Sequence, residues 1–209
     1  MKFFFGLCIL IFSSCTQAEE KKPATSAAPE GITSNGTPRT ALASSFMSPD
    51  ISPADIVYFP VDYPLLKMSK KAPVLPVARI IYSRPHKGGR KLFGSLIPYG
   101  EAWRLGANEG TEIEFFRPVK IQDKTVGTGR YTLYCVPAET HWTIVFNTNI
   151  YSWGLKQDST KDVHRFTIPI QKTEGSYEYF TMAFEKAKYG VSLTMSWDDV
   201  TARLPITLQ

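Results

Sequence analysis

The sequence predicts an all-β fold, an antiparallel β-sandwich of about nine short strands, and three observations predict it. From Pro76 onward apolar residues recur at every second position; Gly- and Pro-containing clusters punctuate the runs; and no segment of ten or more residues carries a capped helical pattern. The first strands are expected near residues 77–82, 111–116 and 118–122. Tyr131, Leu133 and Cys135 form the next run, and Trp142, Ile144 and Phe146 the one after. Phe166, Ile168 and Ile170 alternate with Arg165 and Thr167, and Phe180, Met182 and Phe184 do so less cleanly. The clearest pattern is Val191, Leu193, Met195 and Trp197 against Ser192, Thr194 and Ser196, which gives one apolar and one wet face. Ala202, Leu204, Ile206 and Leu208 repeat it. Turns are expected at Gly127-Thr128-Gly129, Pro137 to Thr140, Gly154, Glu174-Gly175, Gly190 and Asp198-Asp199, and one helical turn near Tyr99 to Leu105. A closed barrel is the alternative architecture, and no internal repeat points to a propeller or solenoid.

Upstream of this body the chain changes character. Lys2 precedes an unbroken apolar run from Phe3 to Phe12, which is too short to span a bilayer, where about 20 residues are needed, but suits a signal-peptide core. Ser13 and Ser14 then lead to Cys15, an arrangement that resembles a bacterial lipobox; the alternative is an ordinary secretory signal with a coincidental cysteine. The expected organisation is a lipoprotein signal over 1–14, a lipidated Cys15 with a flexible tether over 15–45, a proline-rich extended arm over 46–75, and the sandwich over 76–209. The tether is rich in Ala, Ser, Thr, Pro and Gly, too apolar-poor to repay ordering. Glu19, Glu20, Lys21 and Lys22 behind Cys15 resemble a surface-export signal, or are simply a solvated start to the tether. The expected address is therefore the bacterial envelope, as an outer-membrane lipoprotein facing either side, with a lipid on Cys15 as its membrane contact.

The segment from Ser48 to Pro76 holds six prolines among Tyr58, Phe59, Tyr63, Leu65 and Leu66. Prolines at that density exclude a central strand, so the arm is expected to lie along the sandwich and cover an edge. Within the mature domain only Cys135 remains, so no intramolecular disulfide can staple the fold. The net charge of +5 is spread along the chain rather than gathered into a stripe, which argues against nucleic acid as a partner.

The long polar loop near 83–110 is the most unusual segment. A connection of this length in a compact β-domain is more often functional than not. Arg84, Arg90 and Arg104 supply planar donors, Tyr99 and Trp103 supply aromatic faces, and Asn108 and Glu109 supply amide and carboxylate groups. Such sets recognise carboxylates, phosphates or sugars. The structural alternative is that the loop glycines permit turns, Arg104 pairs with Glu109, Trp103 plugs the sandwich and Asn108 caps the loop, with Arg84, His86, Lys87 and Arg90 as an exposed basic rim.

Other chemistry lacks its signatures. His86, His141 and His164 have no metal-ligand spacing, so no metal is expected. No nucleophile elbow, P-loop, dinucleotide fingerprint or calcium loop is present, so no cofactor is expected either.

Tyr82-Ser83-Arg84-Pro85, Gly89-Arg90-Lys91-Leu92-Phe93-Gly94, Pro98-Tyr99-Gly100, Trp103-Arg104 and Gly106-Ala107-Asn108-Glu109 together resemble the bacterial domain of unknown function numbered 2911. Gly129-x-Tyr131-x-Leu133, Trp142, Phe146-Asn147 and Trp153-Gly154 continue the likeness, over roughly residues 76 to 209. Lys87-Gly88-Gly89-Arg90 departs from it, standing where a tighter Lys-Gly-Arg is expected. The resemblance carries no activity. The residues favour a non-enzymatic binding module for a glycan, an anionic ligand or an envelope protein. The alternatives are a hydrolase or lyase on an envelope polymer, with Glu101 or Glu109 as acid–base, and a structural component whose arm adds to a partner's sheet.

Overall fold

The computed structural model describes residues 50–208, so the signal segment, Cys15, the tether and the start of the arm lie outside the described residues. Among the described residues nine strands form one antiparallel sheet that stays open: β1 (Ala54–Phe59), β2 (Ala78–Ser83), β3 (Thr111–Phe115), β4 (Val119–Ile121), β5 (Lys124–Val126), β6 (Gly129–Pro137), β7 (His141–Asn147), β8 (Asp162–Ala187) and β9 (Gly190–Leu208). Their order is β1-β2-β3-β6-β7-β8-β9-β4-β5, with β1 and β5 at the two free ends, which corrects the barrel alternative.

The sandwich character comes from two long strands that belong to both halves. The first part of β8 pairs with β7, from His141 opposite Pro169 to Asn147 opposite Asp162. Its later part pairs only with β9, from Thr181 opposite Ser196 to Ala187 opposite Gly190. The register shifts between Lys172 and Thr181, and there the sheet turns over on itself. β9 then reaches β4, where Val119 faces Leu208. Across the fold, Tyr82 of β2 meets Phe180 of β8 edge-on at 5.8 Å, and Phe59 lies 5.9 Å from Phe184. One apolar cluster fills the space between, including Ile80, Ile113, Phe146, Phe166, Met182, Leu193 and Leu204.

Four local expectations are corrected. Glu174-Gly175 and Asp198-Asp199 are not turns between strands; they sit in the irregular middle of β8 and within β9, so four expected strands are two. Periodicity cannot separate a turn from a bulge, because both break the alternation in the same way. No helix forms over Tyr99 to Leu105. The helix instead is α1 (Tyr63–Met68) in the arm, where Pro64 occupies the first turn and its missing N–H is not needed. β1 also comes from the arm: six residues free of proline lie between Pro53 and Pro60, and they pair antiparallel with β2 at the sheet's edge.

Candidate functional site

The loop between β2 and β3 is laced to the sheet by backbone bonds at several points. Trp103 and Cys135 exchange a pair of hydrogen bonds at 2.7 Å each, and Gly100 N–H donates to the Pro137 carbonyl at 2.9 Å. Lys87 N–H donates to the Glu178 carbonyl at 2.6 Å and ties the loop to the irregular middle of β8. Trp103 is thereby set in the middle of an aromatic cluster. Its ring stacks on Trp197 at 5.8 Å and meets Phe93, Trp142 and Phe180 edge-on at 6.1, 5.7 and 5.0 Å. Thus Trp103 is a packing residue on four sides and still contributes to a cavity wall.

That cavity, about 400 Å³, is the site the fold builds from the loop. Pro85, Ile97, Pro98 and Ala102 line it from the loop, Trp197 from β9, Ile51 and Ser52 from the segment before β1, and Gly154 and Leu155 from the connection after β7. Its charged and titratable lining is His86, Arg90, Glu101 and Arg104. Arg104 is the distinctive member. Its Nη1 is buried and has no hydrogen-bond partner among the described residues. Its stem runs against Gly154, where a Cβ would approach Arg104 Cβ and Cδ at 3.0 and 3.1 Å and where φ is +84°. Only glycine meets both demands, so the Trp153-Gly154 pair is what lets Arg104 lie in the wall. The next residue, Leu105, is fully buried with φ at +54°, an unfavourable conformation for a leucine. Thr111 Oγ1 donates to its carbonyl at 2.7 Å and holds it there.

The seven residues singled out from the sequence divide into two groups. Arg90, Trp103 and Arg104 line the cavity. Arg90 is partly committed, donating through Nε to Lys87 O at 2.8 Å and through Nη2 to His86 O at 2.5 Å. Arg84, Tyr99, Asn108 and Glu109 do not line it. Arg84 ties the loop to two strands, β1 and β8: Nη1 bonds Asp55 at 3.2 Å, Nη2 bonds Thr181 Oγ1 at 3.1 Å, and Nε donates to Phe180 O at 3.4 Å. Tyr99 lies over Gly94, where φ is +76° and a Cβ would come within 2.8 Å of the ring. Asn108 donates to Asp50 Oδ2 at 2.8 Å and Ser52 O at 3.3 Å, tying the loop to the arm rather than capping itself. Glu109 is exposed and forms no ion pair with Arg104.

The expected basic rim is corrected at Arg84 and Lys87, while Arg90 is exposed as expected. Arg84 is paired as above, and Lys87 Nζ bonds Asp198 Oδ1 at 2.5 Å in the β9 bend. Burial alone would raise the Asp198 carboxyl, but the bonds from Lys87 and Ser176 and the charges of Lys87 and Lys172 together hold it below the ordinary value. Burial likewise pushes the Tyr82 hydroxyl up, and it receives Met182 N–H at 2.9 Å. Burial pushes the Cys135 thiol well up, which makes it a packing residue and a poor nucleophile. Trp197 and Gly154 were missed as site residues. Trp197 was legible only as strand alternation, and Gly154 only as a turn and a shared motif. Among the described residues no three His, Cys, Asp or Glu side chains are grouped to hold a metal ion.

No curated protein and no solved structure matches this chain. A family profile does, over residues 67–206, which takes in everything from the end of α1 to β9 and all of the loop. The chain belongs to the family described as Protein of unknown function (DUF2911).

Proposed function

We propose that this is a lipid-anchored envelope protein whose domain is a non-enzymatic binding module, and that the loop cavity takes an anion carried on an apolar body. The observation that carries this reading is Arg104: the residue lines a largely apolar cavity, and its Nη1 is buried without a hydrogen-bond partner among the described residues. A buried guanidinium nitrogen left without a partner costs about 1–3 kcal/mol or more, which an anionic ligand group would recover. Cavity size favours a small molecule over a protein surface. A neutral glycan would want an open aromatic face, and the Trp103 ring is enclosed by four others. Hydrolysis with paired carboxylates is disfavoured, because Glu101 lines the cavity and Glu109 stands outside it. The apolar run before Cys15 supports the envelope address.

The test is calorimetric titration of the full chain with decanoate and with decanol, as charged and neutral probes of one shape. Decanoate is expected to bind at least about tenfold more tightly, the equivalent of about 1.4 kcal/mol. Equal affinity for the two, or binding of neither, overturns the proposal.

A further inference from the structure

The segment from Val61 to Leu75 forms a small lobe at the end of β1 with a composition unlike the rest of the surface. It is ordered from within. Tyr63 is buried, stacks on Tyr58 at 5.5 Å, and donates its hydroxyl to Val74 O at 3.0 Å. Lys67 Nζ reaches the same carbonyl at 3.1 Å, and the N–H groups of Lys71 and Ala72 close onto Leu66 O. What this framework holds outward is apolar: Leu65 is 69% exposed, Met68 82% and Val74 84%, with Val61 and Leu75 beside them. Fixed apolar side chains at this exposure are the kind of patch that marks a contact surface.

The charges around the patch identify the contact. Within the lobe Asp62, the residue before α1, is the one acidic residue, while Lys67, Lys70 and Lys71 interleave with the apolar residues and leave the lobe net positive. Lys67 is used inside the lobe and lies 5.7 Å over the Tyr63 ring, so Lys70 and Lys71, both exposed, are the lobe's cations without a partner among the described residues. Lysine is depleted from the cores of protein–protein interfaces. Apolar tips ringed by lysines suit a bilayer surface, where alkyl groups enter the acyl boundary and ammonium groups stay among anionic headgroups. We infer that the Val61–Leu75 lobe docks on a bilayer carrying anionic lipids. The register adds a consequence for the cavity. Ser52, in the cavity wall, precedes β1, and the lobe follows it. Six strand residues at about 3.3 Å each separate the two by about 20 Å. Docking through the lobe therefore holds the cavity at the far end of β1, an orientation that a lipid on a long tether would not set. This inference stands apart from the cavity reading, since neither Arg104 nor the loop enters it.

The test uses the full chain with Cys8→Ser, Cys15→Ser and Met68→Cys, labelled at position 68 with a polarity-sensitive maleimide; Cys135 is buried and is left unlabelled. The Phe3–Phe12 run can bring every variant to a vesicle, so the readout is kept local to the lobe. With mixed phosphatidylglycerol–phosphatidylcholine vesicles the emission is expected to shift to the blue. In a Lys70→Glu/Lys71→Glu background the lipid concentration for half-shift should rise at least about tenfold. An emission that stays aqueous, or shifts equally with phosphatidylcholine alone, overturns the inference. So does a shift that grows with protein concentration in the absence of vesicles, which would make the lobe a contact between copies.

Discussion

Arg84 and Arg104 lie in one loop and have opposite chemistry. Arg84 has three hydrogen-bonding partners on two other strands, whereas Arg104 carries a buried nitrogen with none among the described residues. A partnered arginine stabilises the fold, although the half-exposed Asp55 pair contributes little of that by itself. An unpartnered one is a cost the free protein carries. Arg104→Met, which keeps most of the stem and removes the orphan donor, should raise the thermal midpoint of the unliganded protein by about 2–4 °C, corresponding to about 1 kcal/mol for a domain of this size. A fall of similar size in a melting curve would mean the guanidinium is satisfied in the free state. The sequence offered both arginines as equals, because residue type and spacing carry no information about partners that come from β1 and β8. Asp55, the partner of Arg84, sits in the proline-rich arm, where nothing marked it as a strand residue.

At the scale of elements, the bend shared by β8 and β9 is held by charge as well as by packing. Asp198 adopts φ +53° within β9, and Lys87 and Ser176 converge on its carboxylate. Because its folded pKa is depressed, its contribution is present in full above the ordinary carboxylate value and is lost as pH falls through the lower folded value. Asp198→Asn keeps a side chain that tolerates this backbone region, so the variant isolates the charge. It should melt below the parent at neutral pH, and the gap should close as pH falls through the folded carboxyl pKa, well into the acid range. A gap that persists unchanged in acid would assign the effect to geometry instead. Strand existence was legible from alternation over 131–135, 142–146, 191–197 and 202–208. Where alternation broke, at Glu174-Gly175 and Asp198-Asp199, the sequence could not say whether the chain turned back or only bent.

For the whole molecule, the open sheet behaves as a sandwich because the two halves share one core. Phe180 is the joint: fully buried, edge-on to Tyr82 across the fold and in contact with Trp103 and Trp197 at the cavity end. Phe180→Ala should cost about 3–5 kcal/mol and unfold both halves in one transition, measured by denaturant titration followed through tryptophan fluorescence and circular dichroism. Separate transitions for the two signals would contradict a single core. The all-β class was legible from period and punctuation alone. The cavity was not, since it gathers Ser52, Trp197 and Gly154 from distant parts of the chain around a loop whose interest alone was visible. The measurement that tests the central claim most directly is a side-by-side comparison of Arg84→Gln and Arg104→Met for melting temperature and for decanoate affinity. Arg84→Gln should melt lower and bind decanoate as the parent does, while Arg104→Met should melt no lower and lose at least about tenfold in affinity. The reverse pattern, with Arg104→Met unfolding and Arg84→Gln losing the ligand, would make the cavity an internal brace and move the binding site elsewhere.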